Sequence, residues 1–173
     1  MREYSSMAAF SEHLIEIAAT EELLVRKALS HCAKLVETEA KAEIATYQDQ
    51  IGPFTAWQDL SENTLYGGYA NGVRYPGKVE LGYAPPDNPL LRTGEMRDSI
   101  GTVISTDGLE AQIGSNSDIA VYQELGTEHI PPRSFLGGAM VRKLPEIDKT
   151  LGESLFAALM GEKVINGLLP IKD

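Results

Sequence analysis

The stretch Ile100-Gly101-Thr102-Val103-Ile104-Ser105-Thr106-Asp107-Gly108-Leu109-Glu110-Ala111-Gln112-Ile113-Gly114-Ser115 reads as two short strands joined at Asp107-Gly108. That pair tolerates the positive φ angles of a two-residue hairpin turn. Pairing Thr106 with Leu109 sets a register with Ile100, Ile104, Leu109, Ala111 and Ile113 on one face and Ser105, Glu110 and Gln112 on the other. This is the alternation of a half-buried antiparallel sheet, with Val103 as the exception.

Working outward, apolar residues recur upstream at Val25, Leu29, Cys32, Val36, Ala40, Ile44 and Tyr47. Their three- and four-residue rhythm predicts a long amphipathic helix from residue 20 to about 48. Thr20 is its candidate cap, with Glu21 and Glu22 placed for the positive end of the helix dipole. Phe10, Leu14 and Ile17 predict a shorter helix before it. Gly52-Pro53 ends the helical region, and Ser61-Glu62-Asn63-Thr64 starts one further helical turn. Residues 65–86 hold five glycines, three prolines and four of the seven tyrosines, and so read as a flexible loop with faint strand signals around Val73 or residues 79–81.

Downstream of the hairpin, residues 118–125 read as a short helix stopped by a left-handed Gly126, and Pro131-Pro132 sets an extended path into Phe135-Leu136. From Pro145, the spacing of Ile147, Leu151, Leu155, Ala158 and Leu159 predicts a final helix that ends near Gly161, followed by a loosely held tail from Glu162 to Asp173. The fold class is therefore α+β: a long N-terminal amphipathic helix and a C-terminal helix packed on a small antiparallel sheet. One domain over residues 1–173 is expected. Its parts are a helical portion (1–50), an α/β portion carrying the motifs and the 65–86 loop (51–140), and a C-terminal helix with its tail (141–173).

The 173 residues carry 25 acidic and 15 basic side chains, a net charge of −10, with 43% hydrophobic residues, enough for one core. Residues 1–50, 51–130 and 131–173 carry −4, −7 and +1, so the middle is the acidic part. A chain without a basic stripe lacks the charge that neutralises phosphates, which argues against sequence-specific nucleic-acid binding. Cys32 is the sole cysteine, so neither an internal disulfide nor a cysteine-rich zinc module is available and a reducing compartment fits. The first residues lack an apolar signal region and no uncharged run approaches the roughly 18 residues of a membrane span. A soluble protein made inside the cell is expected.

His13, His31 and His129 stand at no spacing that places two on one helical turn, and the neighbours His31 and Cys32 diverge. Asp87 with Glu95, and Glu124 with Glu128, are carboxylate pairs available for acid–base work, but charged residues on an acidic protein are usually solvated face. No Gly-x-Ser-x-Gly elbow, phosphate loop or dinucleotide fingerprint is present. No catalytic residue, metal or cofactor is expected.

Two segments are more particular. In Pro89-Leu90-Leu91-Arg92-Thr93-Gly94-Glu95-Met96-Arg97-Asp98-Ser99-Ile100, Thr93 is a candidate cap, Leu91, Met96 and Ile100 point inward, and Arg92 and Arg97 are left for carboxylates. In the second, Val121-Tyr122-Gln123-Glu124-Leu125-Gly126-Thr127 is followed by Ile130-Pro131-Pro132-Arg133-Ser134-Phe135-Leu136. There Phe135-Leu136 is an apolar anchor and Arg133 a fork donor suited to a carboxylate across a subunit boundary.

At these residues the chain resembles the virion-morphogenesis or tail-completion proteins of long-tailed phages, minor tail components that include the Z type of lambda and the G type of Mu. The matching positions are Trp57, Leu60 and Thr64; Leu90, Leu91, Thr93, Gly94, Met96, Ser99 and Ile100; and Glu124, Gly126, Thr127, Pro131, Pro132, Arg133, Phe135 and Leu136. They cover about residues 54–140. Met96 stands where the family has leucine, Ser134 where it has proline, and the 65–86 segment is longer than the family's link.

The resemblance implies a structural protein without catalytic residues. It would complete or secure the head-proximal end of the tail, in the virion neck after assembly in the host cytoplasm. Its partners would be further copies in a ring, a hexamer by tail symmetry, together with the head–tail connector and tail-terminator proteins. Genomic DNA would pass through the ring, and no membrane is involved. Arg92, Arg97 or Arg133 would meet the acidic middle of a neighbour, the 65–86 tyrosines would order on docking to the next layer, and the negative charge would keep DNA from adhering. The competing readings are a head-closure or tail-terminator subunit, a phage-encoded hydrolase or nuclease, and a regulatory binding module.

Overall fold

The computed structural model describes residues 4–83 and 85–160. The elements are α1 (Met7–Glu43), α2 (Glu62–Tyr66), β1 (Gly67–Ala70), β2 (Val73–Pro76), α3 (Glu95–Asp98), β3 (Ile100–Ile104), β4 (Ala111–Ser115), α4 (Asp118–Leu125) and α5 (Phe135–Met160). The chain is thus α+β, with long helices near both ends and two small antiparallel two-stranded sheets, β1–β2 and β3–β4. It divides into two compact units, one drawn from the described residues of Met1–Leu35, Val103–Gln112 and Leu144–Asp173, the other from Val36–Thr102 and Ile113–Lys143.

In the first unit, α1 runs without a break through residues 19–20, so the two expected helices are one and Thr20 lies inside it rather than at a cap. No Gly or Pro occurs between Met7 and Glu43, and nothing in that stretch stops a helix. Leu24, Ala28, Cys32 and Ala33 form the buried face, while Val25 and Leu29 are only half-buried. Leu24 meets Ala157 of α5 in an apolar cluster. Ser154 is buried, with its hydroxyl satisfied by donation to the Thr150 carbonyl at 2.7 Å, and Leu155, expected on the buried stripe, faces solvent instead. The predicted helix end near Gly161 and the tail beyond it lie outside the described residues.

The β3–β4 connection keeps the expected register but not the expected turn. The Ser105 N–H donates to the Glu110 carbonyl and the Gly108 N–H to the Ser105 carbonyl, both at 2.9 Å, which leaves a four-residue loop. Thr106 and Leu109 therefore sit in the loop instead of pairing, and Leu109 is exposed. The Asp107 carboxylate accepts from the Ser105 hydroxyl and the Leu109 N–H, which together hold its pKa below the ordinary value. The Arg26 stem lies against Gly108, where a Cβ would stand 2.6 Å from Arg26 Cγ.

In the second unit, α1 stops at Glu43, about five residues before the predicted end. Ala45 adopts a φ of 82° and its N–H donates to the Pro89 carbonyl at 2.9 Å, a tertiary bond that replaces the next helical one. Tyr47 thus leaves the helical stripe, and its hydroxyl accepts the Leu60 N–H. Helix α2 forms where predicted, with the Ser61 side chain accepting the Thr64 N–H at its start.

The 65–86 segment is not a structureless loop. Its β1–β2 hairpin pairs Gly67 with Pro76 and Ala70 with Val73 across Asn71 (φ 51°) and Gly72 (φ 79°), and the chain then returns to donate from Lys78 and Val79 to the Thr64 and Leu65 carbonyls. Residues 79–81 form a turn, not a strand. Helix α5 begins ten residues earlier than predicted, and Pro145 lies within it. Gly137 allows close approach there, since a Cβ on it would enter the Phe54 ring, and a Cβ on Gly138 would sit 3.2 Å from Glu43 Oε2. Ala40, Phe135 and Ala139 are wholly buried, with Ile44, Trp57 and Ile100 nearly so.

Candidate functional site

The residues of the second motif assemble around the first turn of α5. A helix start leaves main-chain N–H groups without helical acceptors, and an anion there is favoured by the helix dipole. The Glu124 carboxylate supplies both needs: Oε2 accepts the Leu136 N–H at 2.8 Å and Oε1 accepts the Gly137 N–H at 2.9 Å. Ser134 donates its hydroxyl to the Glu124 carbonyl at 2.9 Å, while its own carbonyl accepts the Gly138 N–H at the first helical turn. The structure thus engages the Glu124 carboxylate with the main chain of α5 rather than with Glu128.

Between α4 and α5 the chain closes on itself. The Thr127 N–H donates to the Ile130 carbonyl at 2.8 Å, and Thr127 Oγ1 accepts the His129 and Ile130 N–H groups. Gly126 ends α4 at φ 74° and ψ 175°, a region open essentially to glycine alone and distinct from the left-handed helical stop that was expected. A Cβ there would lie 2.8 Å from Pro132 N and 2.9 Å from the Ile130 oxygen, so Gly126 and Pro132 form one steric unit. Phe135 is the wholly buried anchor, with Leu136 half-buried beside it in sequence.

Arg133 departs most from expectation. It is buried, its N–H donates to the Gln123 carbonyl at 2.7 Å, and its Nη2 donates to the carbonyls of Gln58 (2.9 Å) and Asp59 (3.4 Å), next to buried Trp57. Burial pushes its pKa down. It is a strut between the 57–60 segment and the approach to α5, not a surface donor for a neighbour's carboxylate.

The first motif surrounds α3. Gly94 occupies the cap position at φ 91°, and Thr93 Oγ1 contributes only a long 3.4 Å contact from the Glu95 N–H. Leu90 has a φ of 60°, and Leu91 and Met96 are half-buried while Ile100 is buried. The Ser99 hydroxyl lies 2.6 Å from both the Met96 carbonyl and the Ser115 hydroxyl. Arg97 pairs with Asp98 of its own helix at 2.9 Å, and Arg92 stacks over the Tyr83 ring at 5.1 Å instead of meeting a carboxylate.

Below α5 lies a charge cluster absent from the sequence reading. Glu43 is 2% exposed; its Oε1 accepts from Arg142 Nε at 2.9 Å, and its buried Oε2 has no hydrogen-bond partner among the described residues. Removal from water pushes its pKa up to about 7, with Arg142 opposing and Glu39 and Glu124 adding to the rise. Glu37, also buried, accepts from Lys41 at 2.7 Å and from the Thr102 hydroxyl at 2.9 Å. The acidic members of the α1 apolar face were the detectable signal, since Glu37, Val36, Ala40, Glu43 and Ile44 all fall on one side of the helix.

Comparison with protein-family models, with curated proteins and with solved structures gave no match. Among the described residues, no three His, Cys, Asp or Glu side chains come together as a metal-binding group, and no helix is long and apolar enough to cross a membrane. Cys32 is buried, and burial raises its thiol pKa.

What the surface does offer is apolar. Helix α4 buries only Ala120 and leaves Ile119, Val121, Tyr122 and Leu125 in water, and Tyr66, Tyr69, Val73 and Tyr75 stand out on α2 and the β1–β2 hairpin. The sequence reading marked a faint strand around Val73 but not the hairpin, whose signal was Asn71-Gly72 between tyrosine- and valine-bearing runs, a strong short-range indicator.

Proposed function

We propose that this chain is a structural subunit of a long-tailed phage, completing or securing the head-proximal end of the tail as one member of a ring. The reading starts from the three ordered motifs between Trp57 and Leu136. The observation that carries it is how the second of them spends its polar groups: Glu124, Thr127, Arg133 and Ser134 all bond to main-chain groups of their own chain, so the motif builds a scaffold rather than a substrate pocket. That scaffold holds out apolar faces on α4 and the β1–β2 hairpin, as expected of a protein whose work is association with other proteins.

Deletion of the gene, followed by electron microscopy and plating of lysates, tests the reading. Unjoined heads and tails, or joined particles that fail to infect, are the expected result. Normal infectious virions would remove it.

A further inference from the structure

In the first unit the buried face of α1 has an open continuation. Met7, Phe10, Leu14 and Ile17 stand at three-, four- and seven-residue intervals that bring them into line with Leu24, Ala28 and Cys32 along one side of the helix. The last three are buried, whereas Met7 is 78% exposed and Leu14 48%. Phe10 is exposed as well, although the Tyr4 ring meets it edge-on at 5.1 Å. An apolar stripe left in water as the extension of a packed one marks a surface for further contact.

The course of α5 indicates what reaches it. Glu146 stands close enough to Cys32 to add to the rise that burial gives the thiol pKa, and further along α5 Ala157 meets Leu24. Helix α5 therefore runs antiparallel to α1 and arrives at Met160 heading for the first turns of α1. Thirteen residues follow in the chain, Gly161 to Asp173, with Val164, Ile165, Leu168, Leu169 and Ile171 among them. From Leu24 the open stripe lies about 10–25 Å away along the helix axis, and thirteen residues span about 20 Å at the helical rise and about 40 Å when extended.

We propose that residues 161–173 lie across the open stripe of their own α1, their leucines and isoleucines against Phe10, Leu14 and Ile17, as a strap that completes the packing of the first unit. Charge disfavours a second copy of α1 as the occupant. Residues 4–24 carry Glu12, Glu16, Glu21 and Glu22 with no Lys or Arg, so pairing two such segments gathers like charges. The strap brings Lys163 and Lys172 with Glu162 and Asp173, whose side chains sum to zero. The contact forms within one copy, so it holds whatever the chain assembles with.

Hydrogen exchange of the full chain, read by mass spectrometry, tests it. With Ile165→Glu and Leu168→Glu together, the amides of residues 7–17 are expected to exchange at least tenfold faster than in the wild type, while those of residues 36–43 keep their rates. Leu14→Glu is expected to speed exchange in residues 162–169 in turn. Ile15→Glu, 70% exposed on another side of α1, should leave that segment as in the wild type. Circular dichroism checks each variant; if Leu14→Glu frays the helix, the double variant, which alters no residue of α1, decides. Exchange in residues 7–17 that ignores the double variant would overturn the proposal. So would wild-type protection of residues 7–17 that grows with protein concentration, the mark of a second copy on the stripe.

Discussion

The Glu124 carboxylate accepts the Leu136 main-chain N–H at 2.8 Å, so the last turn of α4 supplies the anion at the first turn of α5. The link spans twelve residues and organises the motif between them. Glu124→Ala removes both carboxylate bonds to α5 and is expected to cost about 2 kcal/mol, whereas Glu124→Gln, which keeps one acceptor oxygen, should lose about half of that. Urea titration followed by circular dichroism measures both, and an unchanged midpoint for Glu124→Ala would contradict the capping role.

Gly126 makes a sharper demand. At φ 74° and ψ 175°, with Pro132 N and the Ile130 oxygen within 3 Å of a Cβ, Gly126→Ala pays both a backbone and a steric penalty. A loss of about 2 kcal/mol or more in thermal or chemical unfolding is expected. Wild-type stability for this variant would show that the turn relaxes freely.

Arg133 separates a strut from an interface residue. Arg133→Ala leaves the Gln58 and Asp59 carbonyls without their donor and opens space beside the 57–60 segment, so unfolding should become easier by about 2 kcal/mol. Arg133→Lys has no planar fork and should recover little. Unaltered melting with weakened self-association would instead place Arg133 at a subunit boundary.

Glu43 sets a pH dependence of unusual sign for a carboxyl group. Its native pKa of about 7 lies above the unfolded value, so the native state holds a proton that the unfolded chain releases first. Stability from this group is fully present below about pH 4 and falls as pH rises through 7, by about 3 kcal/mol in total. Glu43→Gln keeps the shape and an acceptor for Arg142 but has no proton to lose. The melting temperature of this variant should exceed that of wild type at pH 8 and approach it near pH 4. Equal slopes of stability against pH for both proteins would refute the assignment.

Local periodicity carried the sequence reading a long way. The apolar rhythm around Cys32, Val36 and Ala40 announced α1, and the alternation around Asp107-Gly108 announced the β3–β4 pair in its register. Helix α4 appeared between its predicted limits. The misreadings share a physical cause. Thr20 and Pro145 look like boundaries when only propensity is weighed, but propensity is a weak signal, and buried Phe135 with the Phe54 ring over Gly137 carries α5 upstream of Pro145. Likewise α1 stops at Glu43 rather than near residue 48 because the Ala45 N–H finds Pro89, which lies far along the chain.

Composition and spacing were sufficient for the α+β class, the acidic middle and the order of the motifs, since these depend on neighbours a few residues apart. The division of labour among the polar residues was not available at that range. Arg133 and Arg97 read alike in the chain, yet one reaches carbonyls 74 and 75 residues away inside the protein and the other pairs with its own neighbour in solvent. Glu43 and Glu39 stand four apart on the same helix, and only the arrival of α5 leaves the first dehydrated. A hydrogen bond depends on which groups meet in space, so the long-range partners that make Glu124 a cap and Arg133 a strut emerge only once the chain has folded.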